Sequence, residues 1–286
     1  MTTANALDTD TAARLATLED RLRELGGVLV AFSGGADSAF LLAAAARTLG
    51  TDRVAAATAV SASLPAAELA AAARFAADLG VRHLTPTTDE LSQEGYRANA
   101  GDRCYFCKSE LLDTLLPLAA RHGLDHVATG TNADDAVAGF RPGIRAAAER
   151  GAVTPLRDAG FRKDQVREVS RMWGLPTWDK PAAACLSSRI AYGVPVTGGG
   201  LARVGRAETA LRLALHDAGL PVRDLRVRDL GDDTARVEVD AALVPRLRER
   251  PELWRNLDGF TTVVLDPAGF RSGAMNELLP DPDRYR

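Results

Sequence analysis

The chain has 286 residues, 46% of them hydrophobic and 26% charged, with a formal net charge of −3. This is the composition of a globular protein with a sizeable buried core, and it excludes the disordered and membrane-embedded classes. The slightly acidic balance and 5% aromatic content argue against a general affinity for nucleic acid or membrane. Met1 to Thr11 carries Asp8 and Asp10 with no basic region, so a cytoplasmic location is expected.

Thr11 to Leu25 places Leu15, Leu18, Leu22 and Leu25 at helical spacing and stops at Gly26-Gly27. The apolar run Val28 to Phe32 predicts a strand that feeds the turn Ser33-Gly34-Gly35-Ala36-Asp37-Ser38 and a helix from Ala39. A glycine turn at a helix N-terminus aims free N–H groups and the positive dipole end at one point, where a phosphate binds. Gly34 and Gly35 permit close backbone approach, Ser33 and Ser38 supply hydroxyls, and Asp37 suits a magnesium ion or the ordering of the loop. The Gly-Lys-Ser/Thr ending of a Walker loop is missing.

Val54 to Val60 predicts a second strand, Ala66 to Leu79 a helix, Val81 to Leu84 a third strand, Cys104 to Arg121 a helix and His126 to Gly130 a fourth strand. This alternation predicts an α/β fold with a doubly wound, mostly parallel sheet, whose ligand sits beyond the carboxyl ends of the strands. Ser33, Ser61 and Gly130 all follow strand ends, so they are expected in one cleft. Thr154-Pro155-Leu156 reads as extended, and Lys163 to Trp173 as helix. The Gly- and Pro-rich stretch Tyr192 to Gly200 marks the expected boundary between units 1–195 and 196–286. The second is expected to be a smaller α+β domain, with a helix over Ala202 to Ala218, strands over Leu225 to Leu230 and Ala235 to Val239, a helix over Ala242 to Glu249 and a strand over Phe260 to Leu265. Arg226 and Arg228 alternate onto one strand face, as two side chains reaching one anion do. Glu208 and Glu238 read as solvated-face glutamates ahead of metal ligands.

Lysine occurs only at positions 108, 163 and 180. With the high alanine content, this bias reads as genome base composition. Lys108 and Lys180 nevertheless flank the cysteine motifs, where a compact charge can meet phosphate.

Cys104-Tyr105-Phe106-Cys107 places two thiols for a shared metal or a disulfide, and the third, Cys185, lies among small and polar residues in Ala184-Cys185-Leu186-Ser187-Ser188-Arg189. In a cytosolic protein a CxxC points to metal or redox chemistry ahead of a structural disulfide. Three thiolates fall one short of a closed zinc site and match a 4Fe-4S cluster with one iron left open, able to hold an exogenous sulfide. Two alternatives stay open: unrelated packed thiols, or a zinc site completed by His83, His122 or His126.

The turn resembles the SGGxDS loop of the PP-loop ATP pyrophosphatases, which cleave ATP between its α and β phosphates and adenylate a substrate. Together with the CYFCK segment, Gly130-Thr131-Asn132-Ala133-Asp134-Asp135, the ACLSSR stretch and Gly269 to Glu277 (GFRSGAMNE), it resembles the LarE family of ATP-dependent sulfur transferases over nearly the whole chain. The resemblance implies that ATP, with Mg²⁺, adenylates a carboxylate of pyridinium-3,5-dicarboxylate mononucleotide and releases pyrophosphate. A sulfur nucleophile then displaces AMP, leaving a thiocarboxylate on the way to the nickel-pincer nucleotide. In the best-known members a cysteine matching Cys185 gives up its own sulfur. Cys104 and Cys107 depart from that pattern and resemble a three-cysteine branch with a 4Fe-4S cluster that passes on sulfide.

The resemblance further implies Asp37 on the magnesium, and Gly130, Thr131, Asn132 and Asp134 lining the nucleotide cleft. Asp135 divides between a helix-terminal charge and a functional group. Arg226 and Arg228 are expected on the substrate phosphate, with Ser188 and Arg189 completing the pocket. The implied partners are sulfide or another sulfur donor and further copies of the chain, as a hexamer or similar ring. Rival readings are a tRNA thiolation enzyme, which needs a basic, aromatic-rich surface; an amide-forming ligase, which needs no thiols; and an iron–sulfur or ATP-sensing binding module.

Overall fold

The computed structural model describes residues 7–137, 142–181 and 184–279. Part of the polar amino-terminal stretch, Arg141 and Ala182-Ala183 lie outside the described residues. Helix α1 (Thr9–Leu25) opens on Asp8, whose carboxylate accepts the Thr11 N–H, and stops at Gly26, where φ is 70°. In chain order there follow β1 (Val28–Ala31), α2 (Ala36–Leu49), β2 (Val54–Ala57), α3 (Ala66–Asp78), β3 (Arg82–Leu84), α4 (Glu94–Arg97), α5 (Arg103–Arg121), β4 (His126–Thr129), α6 (Ala133–Val137), α7 (Pro142–Glu149), α8 (Pro155–Asp158), α9 (Lys163–Met172) and α10 (Gly198–Asp217). The remaining elements are β5 (Leu225–Asp229), β6 (Thr234–Val239), α11 (Val244–Arg248) and β7 (Thr262–Leu265).

The first sheet has the order β3-β2-β1-β4, and all its pairs are parallel. Its two inner strands, β1 and β2, are apolar on both faces, as strands covered on both sides by helices must be. Val28, Val30, Ala56 and Ala128 pack with α1, α2, α3 and α9, whereas Leu29, Ala55, Ala57 and Val127 pack with α5 and α7. Full burial of each such Val or Leu contributes roughly 1.5–3 kcal/mol. With β1 central, the turn after it opens into the crevice where the strand order reverses. This is the doubly wound α/β architecture.

The second sheet has the order β5-β6-β7, with β5 antiparallel and β7 parallel to β6. One of its faces, Leu225, Val227, Ala235, Val237 and Val239, packs on Ala207, Leu211 and Leu215 of α10. The other carries Arg226, Arg228, Arg236 and Glu238. A separate apolar cluster of Tyr96, Leu186, Ile190, Val196, Leu201 and Val204 fixes the segment that carries Cys185.

Three local expectations are corrected. Thr154-Pro155-Leu156 is not extended: Pro155 takes the first turn of α8, where its fixed φ fits and its missing N–H costs nothing. Helix α10 starts inside the glycine-rich stretch, because the Thr197 hydroxyl accepts the Gly200 N–H at 3.0 Å and supplies the cap. The second strand ends at Ala57, and Val60 keeps only a bridge to Thr87. Among the described residues no helix is long and apolar enough to cross a membrane.

Candidate active site

The turn after β1 has the predicted form. Gly34 sits at φ 71°, a conformation only glycine adopts without strain, and Gly35 precedes the first turn of α2. The Ser33 and Ser38 hydroxyls lie 3.1 Å apart, and Ser38 donates to the Gly35 carbonyl at 3.1 Å. The N–H groups of the first turn of α2 have no helical partner and open toward a cavity of about 390 Å³. The same cavity is lined by Ser33, Gly35, Asp37, Ser38, Ser61, Gly130 and Thr131, and also by Cys107, Lys108 and Cys185.

Gly34, Asn132 and Asp134 do not line that cavity; they hold what does. The Gly34 carbonyl and Glu68 both accept from the Lys180 ammonium, at 3.0 and 2.6 Å. Asn132, almost fully buried, donates to Asp37 at 3.2 Å and exchanges hydrogen bonds with Asp135, a reciprocal cap at the start of α6. Asp135 therefore takes the capping role while also lining the cavity. Asp134 corrects its expectation: its carboxylate is exposed and accepts the Lys163 N–H at 2.8 Å, because the start of α9 leaves that donor unpaired. Lys163 in turn pairs its ammonium with Asp37.

Cys104 and Cys107 stand three residues apart on the first turns of α5 and so share one helix face. The tip of the Phe106 ring, between them in sequence, abuts Gly95 of α4, where a Cβ would collide with it. All three cysteines are free thiols. Burial, then the nearby Cys185, pushes the Cys107 thiol well above its ordinary range. Cys104 is exposed at the surface, so the desolvation that raises its thiol is partial, and Arg103 pulls it the other way. The same desolvation draws Lys108 down, with Cys107 and Cys104 holding it up. Among the described residues no three His, Cys, Asp or Glu side chains converge on a single ion. His83 bonds Thr58 at 2.9 Å and His122 bonds Arg82 at 3.1 Å, so each has one ring nitrogen already engaged.

A second cavity of about 140 Å³ adjoins Ala184, shared with the first, and is lined by Ser188, Arg226, Arg228 and Arg103. The GFRSGAMNE stretch closes it with Phe270, Ser272, Gly273, Met275 and Asn276. Arg226 lies 5.1 Å from the Phe270 ring centroid. Burial, then the neighbouring Arg189 and Arg228, lowers its guanidinium, while Glu208 and Asp224 hold it up.

Arg189 does not line this cavity. Its guanidinium is spent on Glu208 (2.8 and 3.1 Å), on the Cys185 carbonyl (3.0 Å) and on Ser188 (3.1 Å), because a buried guanidinium must satisfy its donors locally. Glu208 also accepts the Val227 N–H at 3.0 Å. The solvated reading of Glu238 is overturned as well. It is fully buried between Arg228 and Arg236, at 2.8 and 3.0 Å, where it offsets the repulsion of two arginines directly opposite each other across the strands. Arg228→Ala is therefore expected to cost about 3 kcal/mol of folding stability, the usual cost of breaking a buried pair. Urea denaturation measures this, and Glu238→Gln in the same background is expected to recover part of the loss.

Sequence reasoning missed Lys163 and Glu90. Lys163 had a signal in the scarcity of lysine, since all three lysines of the chain meet at the cavity or its loop. Glu90 had none. It is buried in the cavity wall, one oxygen accepting from Ser61 and Ser63 at 2.7 and 2.8 Å while the other has no partner among the described residues.

A PP-loop sheet with its phosphate turn facing such a cavity defines an ATP-dependent synthase or transferase. The chain belongs to the asparagine synthase family, whose model matches residues 15–199. Over 271 residues it is 37% identical to the pyridinium-3,5-bisthiocarboxylic acid mononucleotide synthase of Lactiplantibacillus plantarum, covering 94% of this chain and 95% of that protein. It is also 42% identical over 273 residues to the uncharacterized protein slr1717 of Synechocystis, covering 93% and 98% of the two.

Proposed function

We propose that this protein is an ATP-dependent sulfur transferase that adenylates a carboxylate of pyridinium-3,5-dicarboxylate mononucleotide and converts it to a thiocarboxylate. The observation that carries this reading is the single cavity lined both by the Ser33–Ser38 turn and by the thiols of Cys107 and Cys185. The named relative acts at the level of such thiocarboxylates.

In this reading the N–H groups at the start of α2, with the Ser33 and Ser38 hydroxyls, bind ATP phosphates, and Gly130 and Thr131 border the nucleotide. Asp37 would hold Mg²⁺, a hard ion suited to carboxylate oxygen, by exchanging its pairing with Lys163. That exchange leaves the Lys163 ammonium free for phosphate oxygens. Arg226, Arg228 and Ser188 bind the substrate phosphate in the second cavity, and Ala184, common to both cavities, puts the substrate carboxylate end toward the adenylation site. Arg189 positions the Cys185 loop from Glu208 and touches no substrate.

Three free thiols, two on one face of α5 and the third in the wall of the cavity that Cys107 also lines, are the kind of donor set that supports an iron–sulfur cluster. A cluster takes its thiolates on different irons, so its ligands need not converge on one ion. Cys104, Cys107 and Cys185 would hold a 4Fe-4S cluster, which when bound supplies an open iron able to carry sulfide. Sacrificial donation from Cys185 is the second reading, favoured by its place in the cavity wall.

Pyrophosphate release and thiocarboxylate formation with the pyridinium nucleotide test the function, and tight ATP binding without either product overturns it. Iron and sulfide analysis of anaerobically purified protein tests the cluster. A Cys185 peptide lighter by one sulfur after a single turnover supports sacrificial donation instead.

A further inference from the structure

Arg103 opens α5 and is 5% exposed. The groups that act on its charge are Cys185, Cys104, Tyr192 and Tyr96, and among the described residues it forms no ion pair with an aspartate or glutamate. A guanidinium stays charged, so burying one without an anion is costly. Both hydrogen bonds that tie it to the fold leave from Nη1, one to the Asn99 side chain and one to the Ser187 carbonyl at 2.9 Å. Ser187 is itself fixed, since its hydroxyl accepts from Tyr96 at 2.8 Å. The guanidinium also approaches the Cys104 thiol, a weak acceptor, and lies 5.4 Å from the Tyr192 ring centroid.

The other edge of Arg103, Nε–H with Nη2–H, hydrogen-bonds no oxygen or nitrogen among the described residues. Elsewhere in this chain that edge grips carboxylates. Arg150 holds Asp113 by Nε and Nη2 at 2.9 and 3.2 Å, and Arg189 holds Glu208 the same way at 2.8 and 3.1 Å. Arg103 lines the second cavity and not the first. It enters from α5 beside the thiols, whereas Arg226 and Arg228 enter from β5. The cavity thus offers cations from two different elements, suited to a ligand with an anionic group at each end.

We propose that Arg103 is a specificity-determining residue whose Nε/Nη2 edge binds the ring carboxylate not undergoing adenylation, while Arg226 and Arg228 hold the phosphate. This rests on the reading of the substrate as a pyridinium dicarboxylate mononucleotide. The carboxylate to be adenylated must face the ATP phosphates in the first cavity, which Arg103 does not line. Its twin on the same ring keeps its charge and meets Arg103 in the second. A carboxylate matches that edge with two oxygens, whereas a carboxamide offers one oxygen and turns an N–H against the other donor. The site therefore selects acid over amide.

Calorimetric titration of the full chain, purified anaerobically with its iron content measured, tests this with two probes. They are pyridinium-3,5-dicarboxylate mononucleotide and pyridinium-3-carboxamide mononucleotide, which keeps the phosphate but carries no ring carboxylate. Wild type is expected to bind the diacid about ten- to hundredfold more tightly, the factor of one buried charge-assisted pair. Arg103→Met keeps the bulk of the stem and is expected to lose that factor for the diacid, with the amide within about threefold of wild type. Arg103→Lys keeps a charge and a donor for the Ser187 carbonyl but has no fork, and is expected to weaken diacid binding at least about threefold. It decides alone should Arg103→Met fail to fold. Equal weakening of both probes, unchanged diacid affinity, or a wild type that binds the two alike overturns the proposal. Loss of iron with unchanged diacid affinity makes Arg103 a partner of the cluster and overturns it too. In steady-state pyrophosphate release, KM for the diacid is expected to rise by the affinity factor while kcat stays within about threefold. A kcat loss as large as the affinity loss puts Arg103 on the reacting carboxylate and overturns the assignment. A wild type that prefers the diacid yet forms no thiocarboxylate would overturn the proposed reaction and leave this assignment standing.

Discussion

Replacing Cys185 by serine is expected to reduce thiocarboxylate formation at least a thousandfold while pyrophosphate release stays within about threefold of wild type, as expected when one group of a multi-step site is lost. The separation follows from geometry. Cys185 lines the same cavity as the Ser33–Ser38 turn, yet its side chain bonds Ser187 and no group of that turn. Adenylation therefore keeps its donors, and only the sulfur step loses its group. Cys104→Ser then separates the two sulfur-transfer readings. It removes one of three cluster ligands but leaves Cys185 whole, so the cluster reading expects a loss as deep as that of Cys185→Ser. Sacrificial donation expects one full turnover per chain to survive. Single-turnover assays with mass analysis of the product measure both.

Gly130→Ala is the second large effect. A Cβ at Gly130 would lie 2.8 Å from the Ser38 nitrogen, 3.0 Å from its Cα and 3.1 Å from the Asp37 carbonyl carbon. These are backbone atoms in the first turn of α2, so no side chain can swing aside. The strain falls on the N–H groups that the proposed function assigns to the ATP phosphates. We expect ATP affinity to drop at least tenfold, about 1.4 kcal/mol, and folding stability to fall by about 1–3 kcal/mol, the usual cost of overpacking. Calorimetric titration with ATP and a thermal melt read the two losses. Gly199→Ala is the control: the nearest atom to its Cβ is the Thr197 hydroxyl at 4.0 Å, so ATP affinity is expected to be unchanged.

These variants also show which parts of the site were legible in the primary structure. The phosphate turn is a local device: an apolar strand, two glycines and a helix start dictate its form within ten residues, and Ser33, Gly35, Asp37 and Ser38 all line the cavity. Cys107 and Cys185 were legible by residue type and motif, and so were Arg226 and Arg228 by their two-residue spacing on β5. Arg189 was not. A buried arginine reads the same in sequence whether it meets a phosphate or a glutamate, and the choice here was made by Glu208, which α10 delivers beside it. Asp134 and Glu238 fail for the same reason, each turned aside by a donor that only the fold brings near.

Short-range chemistry thus determined the alternation of strands and helices, the two sheets' residues and the phosphate turn, because period, capping and glycine act over a few neighbours. The tertiary structure alone decided the pairing of Lys163 with Asp37 across 126 positions, the reach of Tyr96 to Ser187 and the placing of Ala184 in the walls of two cavities. Such contacts depend on which helix faces cover which strand edges. That arrangement is set by burial of the whole apolar surface at once, and no local segment encodes it.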